Sequence, residues 1–449
     1  MQVIETSNEG LKRQLRVVLP AGELGNRFEQ RLDEIKGRVQ IKGFRPGKVP
    51  TAHLKKVYGR SLMAEVLQQA VEEVSQKAIA DRTERPAMQP KIELPEQPDE
   101  IENVLAGKAD FAFSMSYEVL PQIAVANLAE LKLEKITANV EDKDIDKALD
   151  NLAERNVKFV AEEGRSATTG DRLTIDFVGK IGGEAFEGGT GEGIQLVLGQ
   201  GNFIPGFEAG LEGAKTGDAR TVTANFPETY PVDTLKGKDA QFDVTVKEVA
   251  RPEKPAIDDE FAKSLGAESV EKLRELVSAQ IGREFEQASR TKLKRQLLDA
   301  LEKAHDFALP PSLVDSEFAG IWAQVEQGMK QAGKSFPDEG KTEDEAKAEY
   351  RAIAERRVRL GLVIGEIGEK NQIQVSQDEL RRALVEQARR FPGQESMVYD
   401  YYQKNPAALA ELRAPIFEDK VVDYIVELAR PAVRTVSSEE LMKPEEEAA

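Results

Sequence analysis

The chain has 449 residues, of which 32% are charged, with a formal net charge of −18 and no cysteine. This length predicts roughly two to four domains, and the lack of cysteine excludes disulfide frameworks, thiolate nucleophiles and Cys-based metal sites. The acidity disfavours nonspecific nucleic-acid binding by the whole surface, and two distant histidines, His53 and His305, disfavour a metal site or a Ser/His/Asp triad. No segment resembles a signal peptide or reaches membrane-spanning length, so a cytoplasmic protein is expected.

The first region, residues 1–115, is predicted to be an α+β domain. Residues 11–19 are typical of a short strand, and apolar residues at spacings of three and four predict a helix from about Leu24 to Val39. A second, longer helix is predicted from Thr51 to about Asp81, and the basic loop at 41–50 joins the two helices. Large apolar residues then alternate with small or polar ones over ADFAFSMSYEVLP, which predicts a strand with one buried face.

Four further regions follow. Residues 116–159 are predicted to be a connector with an extended segment and a polar helix near 142–156, and residues 160–250, rich in glycine and short β-type runs, to be a small antiparallel β domain. Helical patterns predict an α-helical domain over 251–432, which begins with a Pro-rich acidic connector and includes a capping box at Ser376 and Glu379. The last residues, 433–449, are acidic and lack periodicity, which predicts a disordered tail.

The loop at 41–50 is strongly basic. Eight lysines and arginines and no acidic residue lie between Lys36 and Arg60. At its centre, glycines permit tight turns and prolines stiffen them in the segment GFRPGKVP. Arg45 can bind a phosphate or carboxylate through two parallel hydrogen bonds, Lys48 adds a point charge and Phe44 adds an apolar anchor. The loop therefore predicts docking on a polyanionic surface, and the alternative is a solvated basic turn whose phenylalanine packs on its own helix.

This loop resembles the ribosome-docking signature of the trigger factor family. The resemblance extends through LPPSLVDSE and RRVRLGLVIGEIGEKNQI in the helical region and so covers nearly the whole chain. It implies that the loop contacts ribosomal RNA and a protein of the large subunit near the exit tunnel. The docking residues implied in this way are Gly43, Phe44, Arg45, Pro46, Gly47, Lys48 and Pro50.

The β region resembles an FKBP-type prolyl isomerase. The similar segments are GDRLTIDFVGKIGGEAFEGG, LVLGQGNFIPGFEAGLEGAKTGD, FPETYP and KGKDAQFDVTVKEV. Glu187 stands where many such proteins carry a shorter aspartate, and Phe207 replaces the tryptophan of drug-binding relatives, so macrolide inhibition is doubtful. No GK[ST] follows the glycines of EGGTGEG, which excludes a phosphate loop. The resemblance implies an antiparallel sheet with a short helix and a catalytic pocket of Phe177, Phe186, Glu187, Phe203, Ile204, Phe207, Tyr230 and Phe242.

An aromatic pocket without a nucleophile suits this reaction. Amide resonance sets a barrier of about 18–20 kcal/mol to rotation about the peptide bond, so a catalyst need only favour the twisted, less polar amide. A dry cavity excludes water from the imide, and Tyr230 offers a hydroxyl to a substrate carbonyl. No cofactor is expected. The alternative for such a cluster is that its aromatic residues only fill the core of a small barrel.

The fold and function implied by these resemblances are those of a multidomain α+β protein: an ATP-independent chaperone for nascent and unfolded polypeptides that assists folding and export. The helical domain would carry arms and an apolar cradle, in which Met329 and Phe336 either line a binding patch or belong to the core. No DNA or membrane partner is expected, and a homodimer is an option for the free protein. A free-standing FKBP-type isomerase with substrate-binding extensions and an RNA-binding protein with a vestigial β domain are the alternatives.

Overall fold

The computed structural model describes residues 1–36, 49–95, 98–336 and 340–444. Its strands are β1 (Gln2–Glu9), β2 (Lys12–Leu19), β3 (Lys91–Glu93), β4 (Phe111–Glu118), β5 (Glu134–Thr137), β6 (Lys158–Ala161), β7 (Arg172–Ile181), β8 (Glu184–Val197), β9 (Ala219–Asn225), β10 (Asp239–Glu253) and β11 (Ala432–Thr435). Its helices are α1 (Ala21–Lys36), α2 (Thr51–Ala80), α3 (Pro98–Leu105), α4 (Asp142–Arg155), α5 (Asp259–Ser264), α6 (Val270–Ala304), α7 (Pro311–Ala332), α8 (Glu343–Lys370), α9 (Gln377–Arg389), α10 (Glu395–Lys404), α11 (Pro406–Ala429) and α12 (Ser438–Met442). Short 3-10 helices lie at Leu128–Glu130 and Ala209–Leu211.

The chain divides into two compact units. One contains residues 1–135 and 291–433, and the other contains residues 136–290 and 434–444. The predicted multidomain α+β architecture, with an N-terminal α+β domain, a small antiparallel β domain and a helical C-terminal domain, is confirmed. Among the helices of the described residues, none combines the length and the apolarity that crossing a membrane requires.

The first unit begins with a four-stranded antiparallel sheet in the order β1-β2-β4-β3. Along β4 buried and half-buried residues alternate, so Phe111, Phe113, Met115 and Tyr117 lie on the face that packs against α2. This confirms the predicted period-two strand. The predicted helices are also confirmed as α1 and α2, whereas the predicted end of the first helix at Val39 lies outside the described residues.

The helical part of the first unit closes around apolar residues from two distant stretches of the chain. The segment at 121–133, which precedes the β domain in sequence, packs with α6, α8 and α11, which follow it. Its largest buried members are Ile123, Leu128, Leu133, Leu293, Leu297, Leu301, Leu360, Ile364, Ile367 and Ile425. The β domain is therefore an insertion in sequence, and a shared apolar core joins the two flanking stretches.

Helices α7 and α8 form an antiparallel hairpin that corresponds to a predicted arm. Asp315 of α7 pairs with Arg351 of α8 (2.7 Å), and Glu317 pairs with Arg357 (3.1 Å). Helix α9 begins at the predicted capping box, because the side chains of Ser376 and Glu379 bond each other's backbone N–H groups.

The second unit contains a five-stranded antiparallel sheet in which β10 pairs with β6, β7 and β9, and β7 also pairs with β8. Leu173 and Ile175 of β7 and Val244 and Val246 of β10 are buried on its inner face. A second core in this unit joins α4, α5 and the first turns of α6, with Leu149 and Phe261 almost fully buried.

Both predicted bounds of the β domain and the predicted start of the tail differ from the secondary structure. The β domain extends to Lys158 and Glu253, beyond 160–250, because β6 pairs with the last residues of β10; the first three residues of the supposed connector at 251–260 are strand. Residues 433–442 are likewise not a disordered tail. They include part of β11 and all of α12, where Ser437 caps the helix and Leu441 is fully buried.

Candidate functional site

An aromatic cluster lies on the inner face of the five-stranded sheet, centred on Phe207. The ring centroid of Phe207 lies 5.1 Å from that of Phe242 and 5.9 Å from that of Phe177, both in edge-to-face geometry. Phe203 stacks on Phe207 at 5.1 Å with an interplanar angle of 14°. Such ring pairs contribute about 0.5–1.5 kcal/mol each beyond the burial of their area. The cluster is therefore a rigid apolar assembly rather than a loose set of rings.

Phe226 joins this centre to the remaining predicted aromatic residues. Its ring centroid lies 4.7 Å from Tyr230 and 5.9 Å from Phe186, and it is 3% exposed. Sequence reasoning missed Phe226, although it opens the segment FPETYP from which Tyr230 was identified. Phe226 supports Tyr230 from below, so it belongs to the assembly without forming its surface.

The cluster has a buried floor and a partly exposed surface. Phe207 and Phe242 are 1% and 5% exposed, whereas the other predicted aromatic residues and Ile204 are half-buried. The structure thus brings together seven of the eight predicted catalytic residues: Phe177, Phe186, Phe203, Ile204, Phe207, Tyr230 and Phe242. The eighth, Glu187, is exposed beside Phe186.

Three glycines allow the rings to lie directly on the strand backbone. A Cβ atom on Gly179 of β7 would lie 2.7 Å from the rings of Phe186 and Phe242, and one on Gly189 of β8 would lie 2.8 Å from Phe186. These separations are far below the van der Waals contact distance. A Cβ atom on Gly191 of β8 would likewise lie 2.7 Å from the ring of Phe177. Two of the four glycines of EGGTGEG, Gly189 and Gly191, therefore serve ring packing.

Charged side chains next to the cluster point away from it. Asp176 precedes the inward-facing Phe177 on β7, and Asp243 follows the inward-facing Phe242 on β10. Because side chains alternate along a strand, both aspartates lie on the outer face. The hydrogen bond from Lys247 lowers the pKa of Asp176, and the hydrogen bond from Lys180 lowers the pKa of Asp243. Both carboxylates are thus ionised and paired on the outer face, away from the rings.

Tyr230 is the polar group best placed for a substrate. Within the described parts of the chain its hydroxyl has no hydrogen-bond partner, although its ring is packed against Phe226. A half-buried hydroxyl beside an apolar surface can donate to a carbonyl oxygen of a bound peptide. The arrangement can therefore hold an apolar ring and fix one carbonyl, without a nucleophile.

The centre of the predicted docking loop, from Gly43 to Lys48, lies outside the described residues. Pro50 is described: it is exposed and occupies the N-cap position of α2. Among the described cations on either side of the loop, Lys55 pairs with Glu29 of α1 and Arg60 pairs with Glu102 of α3 at 3.7 Å. The positive charge of these two residues is therefore partly compensated.

Apolar residues are exposed or half-buried on two parts of the helical region. Met329 and Phe336 are half-buried and line a hollow of about 740 Å³ beside the α7–α8 hairpin, and the ring of Phe336 stacks on Trp322 at 5.2 Å. This geometry favours the patch interpretation of these two residues over the core interpretation. Helix α10 buries none of its residues, and sequence reasoning missed its exposed Met397 and Tyr401.

Comparison with known proteins covers almost the whole chain. Residues 1–152 match the family model for the bacterial trigger factor protein, residues 269–427 match the model for its C-terminus, and residues 163–247 match the FKBP-type peptidyl-prolyl cis-trans isomerase model. Trigger factor from Methylocella silvestris is 53% identical over 444 residues, which span 98% of this chain and 96% of the relative. Trigger factor from Azorhizobium caulinodans is 52% identical over the full length of both chains.

A solved structure of the trigger factor chaperone shares the fold. It is 18% identical, with a TM-score of 0.56, over 95% of this chain and 99% of the other. Because the family models and the relatives agree over the full length, the chain belongs to the trigger factor family, as a chaperone that carries an FKBP-type peptidyl-prolyl isomerase domain.

Proposed function

We propose that the aromatic cluster is the catalytic surface of the isomerase domain, that the loop at 43–50 docks on the large ribosomal subunit, and that exposed apolar residues of the helical region hold nascent and unfolded chains. The observation that carries the catalytic part is the uncharged ring assembly, with a buried floor at Phe207 and an available hydroxyl at Tyr230. Family membership supports ribosome and nascent-chain binding in general.

The mechanism follows from the polarity of the cluster. A planar X–Pro amide is more polar than the twisted amide at the top of the barrier, so transfer from water to an apolar surface disfavours the planar form more. The half-buried rings of Phe177 and Phe203, above the buried floor at Phe207, grip the proline ring and exclude water from the imide nitrogen. The hydroxyl of Tyr230 donates to a substrate carbonyl and holds one side of the bond while the other side rotates. No bond to the protein is made or broken.

Isomerisation of a short peptide with one X–Pro bond tests this assignment in the full-length chain. We expect Phe207→Ala to lower kcat/KM by about a hundredfold, because it removes the floor that orients the substrate. Tyr230→Phe keeps the ring and removes only the hydroxyl, and we expect it to lower kcat/KM by about tenfold. Glu187→Ala is the control, since this carboxylate is exposed whereas the ring floor is buried. A larger loss for Glu187→Ala than for Phe207→Ala would replace desolvation by polar catalysis.

The docking part of the proposal concerns Gly43, Phe44, Arg45, Pro46, Gly47, Lys48 and Pro50. These residues connect two helices that are packed firmly through Leu32, Leu54 and Met63, so the loop is presented by a rigid base. A basic loop with one phenylalanine suits ribosomal RNA together with an apolar contact on a ribosomal protein. We place this contact near the exit tunnel, where emerging chains are within reach.

The holding part of the proposal concerns two surfaces. One is the hollow lined by Met329 and Phe336, and the other is the exposed side of α10 with Met397 and Tyr401. Apolar side chains that a protein leaves exposed in groups are usual sites of association, and methionine adapts to varied partners. We further propose that the protein acts in the cytoplasm and forms a homodimer when it is off the ribosome.

A further inference from the structure

The carboxylate of Glu208 is bonded to three backbone N–H groups of one loop. Its Oε2 atom accepts from the N–H of Gly199 at 2.8 Å and from that of Gly201 at 3.1 Å, and its Oε1 atom accepts from the N–H of Phe203 at 3.3 Å. Hydrogen bonds to an ionised acceptor are about twice as strong as those between neutral groups. One half-buried side chain thus organises the whole turn between β8 and the 3-10 helix at Ala209–Leu211.

The turn depends on this carboxylate because little else holds it. Gly199 and Gly201 have φ of +86° and +69°, which turns successive N–H groups toward one side of the chain. The backbone–backbone bond that starts inside the turn, from the N–H of Gln200 to the oxygen of Val197, is long at 3.5 Å. Without an acceptor at Glu208, the N–H groups of the turn would have to find water, and the loop would lose its fixed shape.

This turn leads directly into the catalytic surface. Phe203, whose N–H is bonded to Glu208, stacks on Phe207, and the N–H of Phe207 donates to the oxygen of Ile204 at 3.1 Å. Glu208 also follows Phe207 in sequence, so a single residue pair fixes both the floor and the rim of the aromatic cluster.

We propose that Glu208 is a positioning residue for prolyl isomerisation, which sets the place of Phe203 and Ile204 by holding the N–H groups of the 199–203 turn. It does not contact the substrate. The inference rests on the proposed catalytic role of the aromatic cluster.

The test measures kcat/KM for a one-proline peptide together with hydrogen exchange, both in the full-length chain. Glu208→Gln keeps the size of the side chain and replaces one acceptor oxygen by an NH2 group that faces donors. We expect kcat/KM to fall about tenfold, because small displacements of groups that orient a substrate are costly. Backbone exchange should accelerate at 199–204 and remain unchanged in β7, β9 and β10. Glu212→Gln is the matched control, since this exposed carboxylate accepts instead from the hydroxyl of Thr169.

A second variant disturbs the same turn from its other side. Gly201→Ala introduces a methyl group into open space but at a positive φ, so it strains only the turn. If Glu208 acts through this turn, the double variant should be about as active as the less active of the two single variants, because coupled changes are not additive. Additive losses would overturn the proposal.

The other possible results also test the proposed role of Glu208. Wild-type kcat/KM and wild-type exchange in Glu208→Gln would overturn the positioning role, and so would faster exchange across the whole β domain, which indicates a general structural role. Loss of activity in Phe207→Ala without loss in Glu208→Gln rejects this inference alone. Full activity in Phe207→Ala rejects the catalytic assignment of the cluster, and this inference with it.

Discussion

Lys158 pairs with Glu253 in antiparallel register, as the first residue of β6 and the last residue of β10. Directly opposed residues of antiparallel strands have Cα atoms about 4.5–5.5 Å apart. The chain therefore enters and leaves the β domain at almost the same point. The core formed by α4, α5 and the start of α6 and the core formed by 121–133 with α6, α8 and α11 contain no residue between 159 and 252.

This register defines a deletion that should leave the rest of the protein folded. Residues 159–252 are removed and Lys158 is joined to Glu253 by Asn-Gly, the two-residue turn that antiparallel partners accept. We expect the variant to lose isomerase activity and to keep most of its protection of an unfolded, proline-free client, measured by light scattering during refolding. A soluble variant with normal helical circular dichroism that gives no protection would place the holding surface in the β domain.

The docking loop should carry most of the affinity for ribosomes. We expect Phe44→Ala, Arg45→Ala and Lys48→Ala together to abolish cosedimentation with ribosomes at an unchanged melting temperature. Binding of the wild-type chain should weaken steeply with salt, because cations that meet phosphates release counterions.

Lys55→Ala is a suitable control for the loop variants, because this lysine already pairs with Glu29 outside the loop. It should retain most of the binding. Cosedimentation of the triple variant at the wild-type level would contradict the docking assignment, and an affinity that does not change with salt would indicate apolar protein contacts instead.

A charge cluster beside the N-terminal sheet should make its stability depend on pH. The carboxylate of Glu84 accepts hydrogen bonds from the hydroxyl of Tyr117 at 2.6 Å, from Arg13 at 2.9 Å and from Arg82 at 3.0 Å. Burial alone would raise the pKa of Glu84, but these hydrogen bonds outweigh it and lower the pKa to about 2. Burial and the bond to Glu84 raise the pKa of Tyr117 to about 12.

The sign of the effect follows from the lowered pKa. The ionised Glu84 stabilises the fold fully above its ordinary pKa of 4.5, and this contribution is lost as pH falls toward about 2. We expect Glu84→Gln to lower the free energy of unfolding of this sheet by about 2 kcal/mol at neutral pH. The difference from wild type, measured by hydrogen exchange over 111–119 in urea, should shrink between pH 4.5 and pH 3. Glu93→Gln, an exposed change on β3, is the control, and a difference that stays constant with pH would refute the argument.

Helix α10 should contribute to the holding of unfolded chains. Met397 and Tyr401 are 67% and 56% exposed, so replacing both by serine removes apolar surface without opening a cavity. We expect client affinity to fall about tenfold, since burial of one such side chain is worth about 1.5–3 kcal/mol. Leu276→Ser, at an exposed leucine of α6 outside the two proposed holding surfaces, should leave client affinity unchanged. Equal effects of the two changes would show that general hydrophobicity, and not this surface, determines holding.

Sequence patterns predicted those elements that bury one face over enough residues to give a regular spacing of apolar residues. Strand β4 and helices α1, α2 and α4 follow this rule. Strand β1 was missed because its residues are nearly all exposed and so show no alternation of apolar and polar residues. Its hydrogen-bonded pairing with β2, rather than burial, holds it in the sheet. Helix α12 was missed because one residue, Leu441, supplies its burial, and a single apolar position has no periodicity.

The candidate site was predictable as a set of residue types but not as a geometry. The aromatic residues were identified from their order in the chain. The structure adds Phe226, which the sequence alone did not distinguish from an ordinary core residue. The role of Glu208 could not be derived from sequence at all, because it depends on three N–H groups converging where two glycines take positive φ. Hydrogen bonds from a side chain to a distant turn leave no pattern in the residue types.

The three glycines beneath the aromatic rings limit how this cluster can change. Gly179, Gly189 and Gly191 bring the rings into direct contact with the main chain, so the depth of the cluster is set by the strands themselves. No residue is smaller than glycine, and every substitution at these positions pushes a ring outward. Variation can therefore make this surface shallower but not deeper, and adaptation to bulkier substrates has to come from the rim at Phe203, Ile204 and Tyr230.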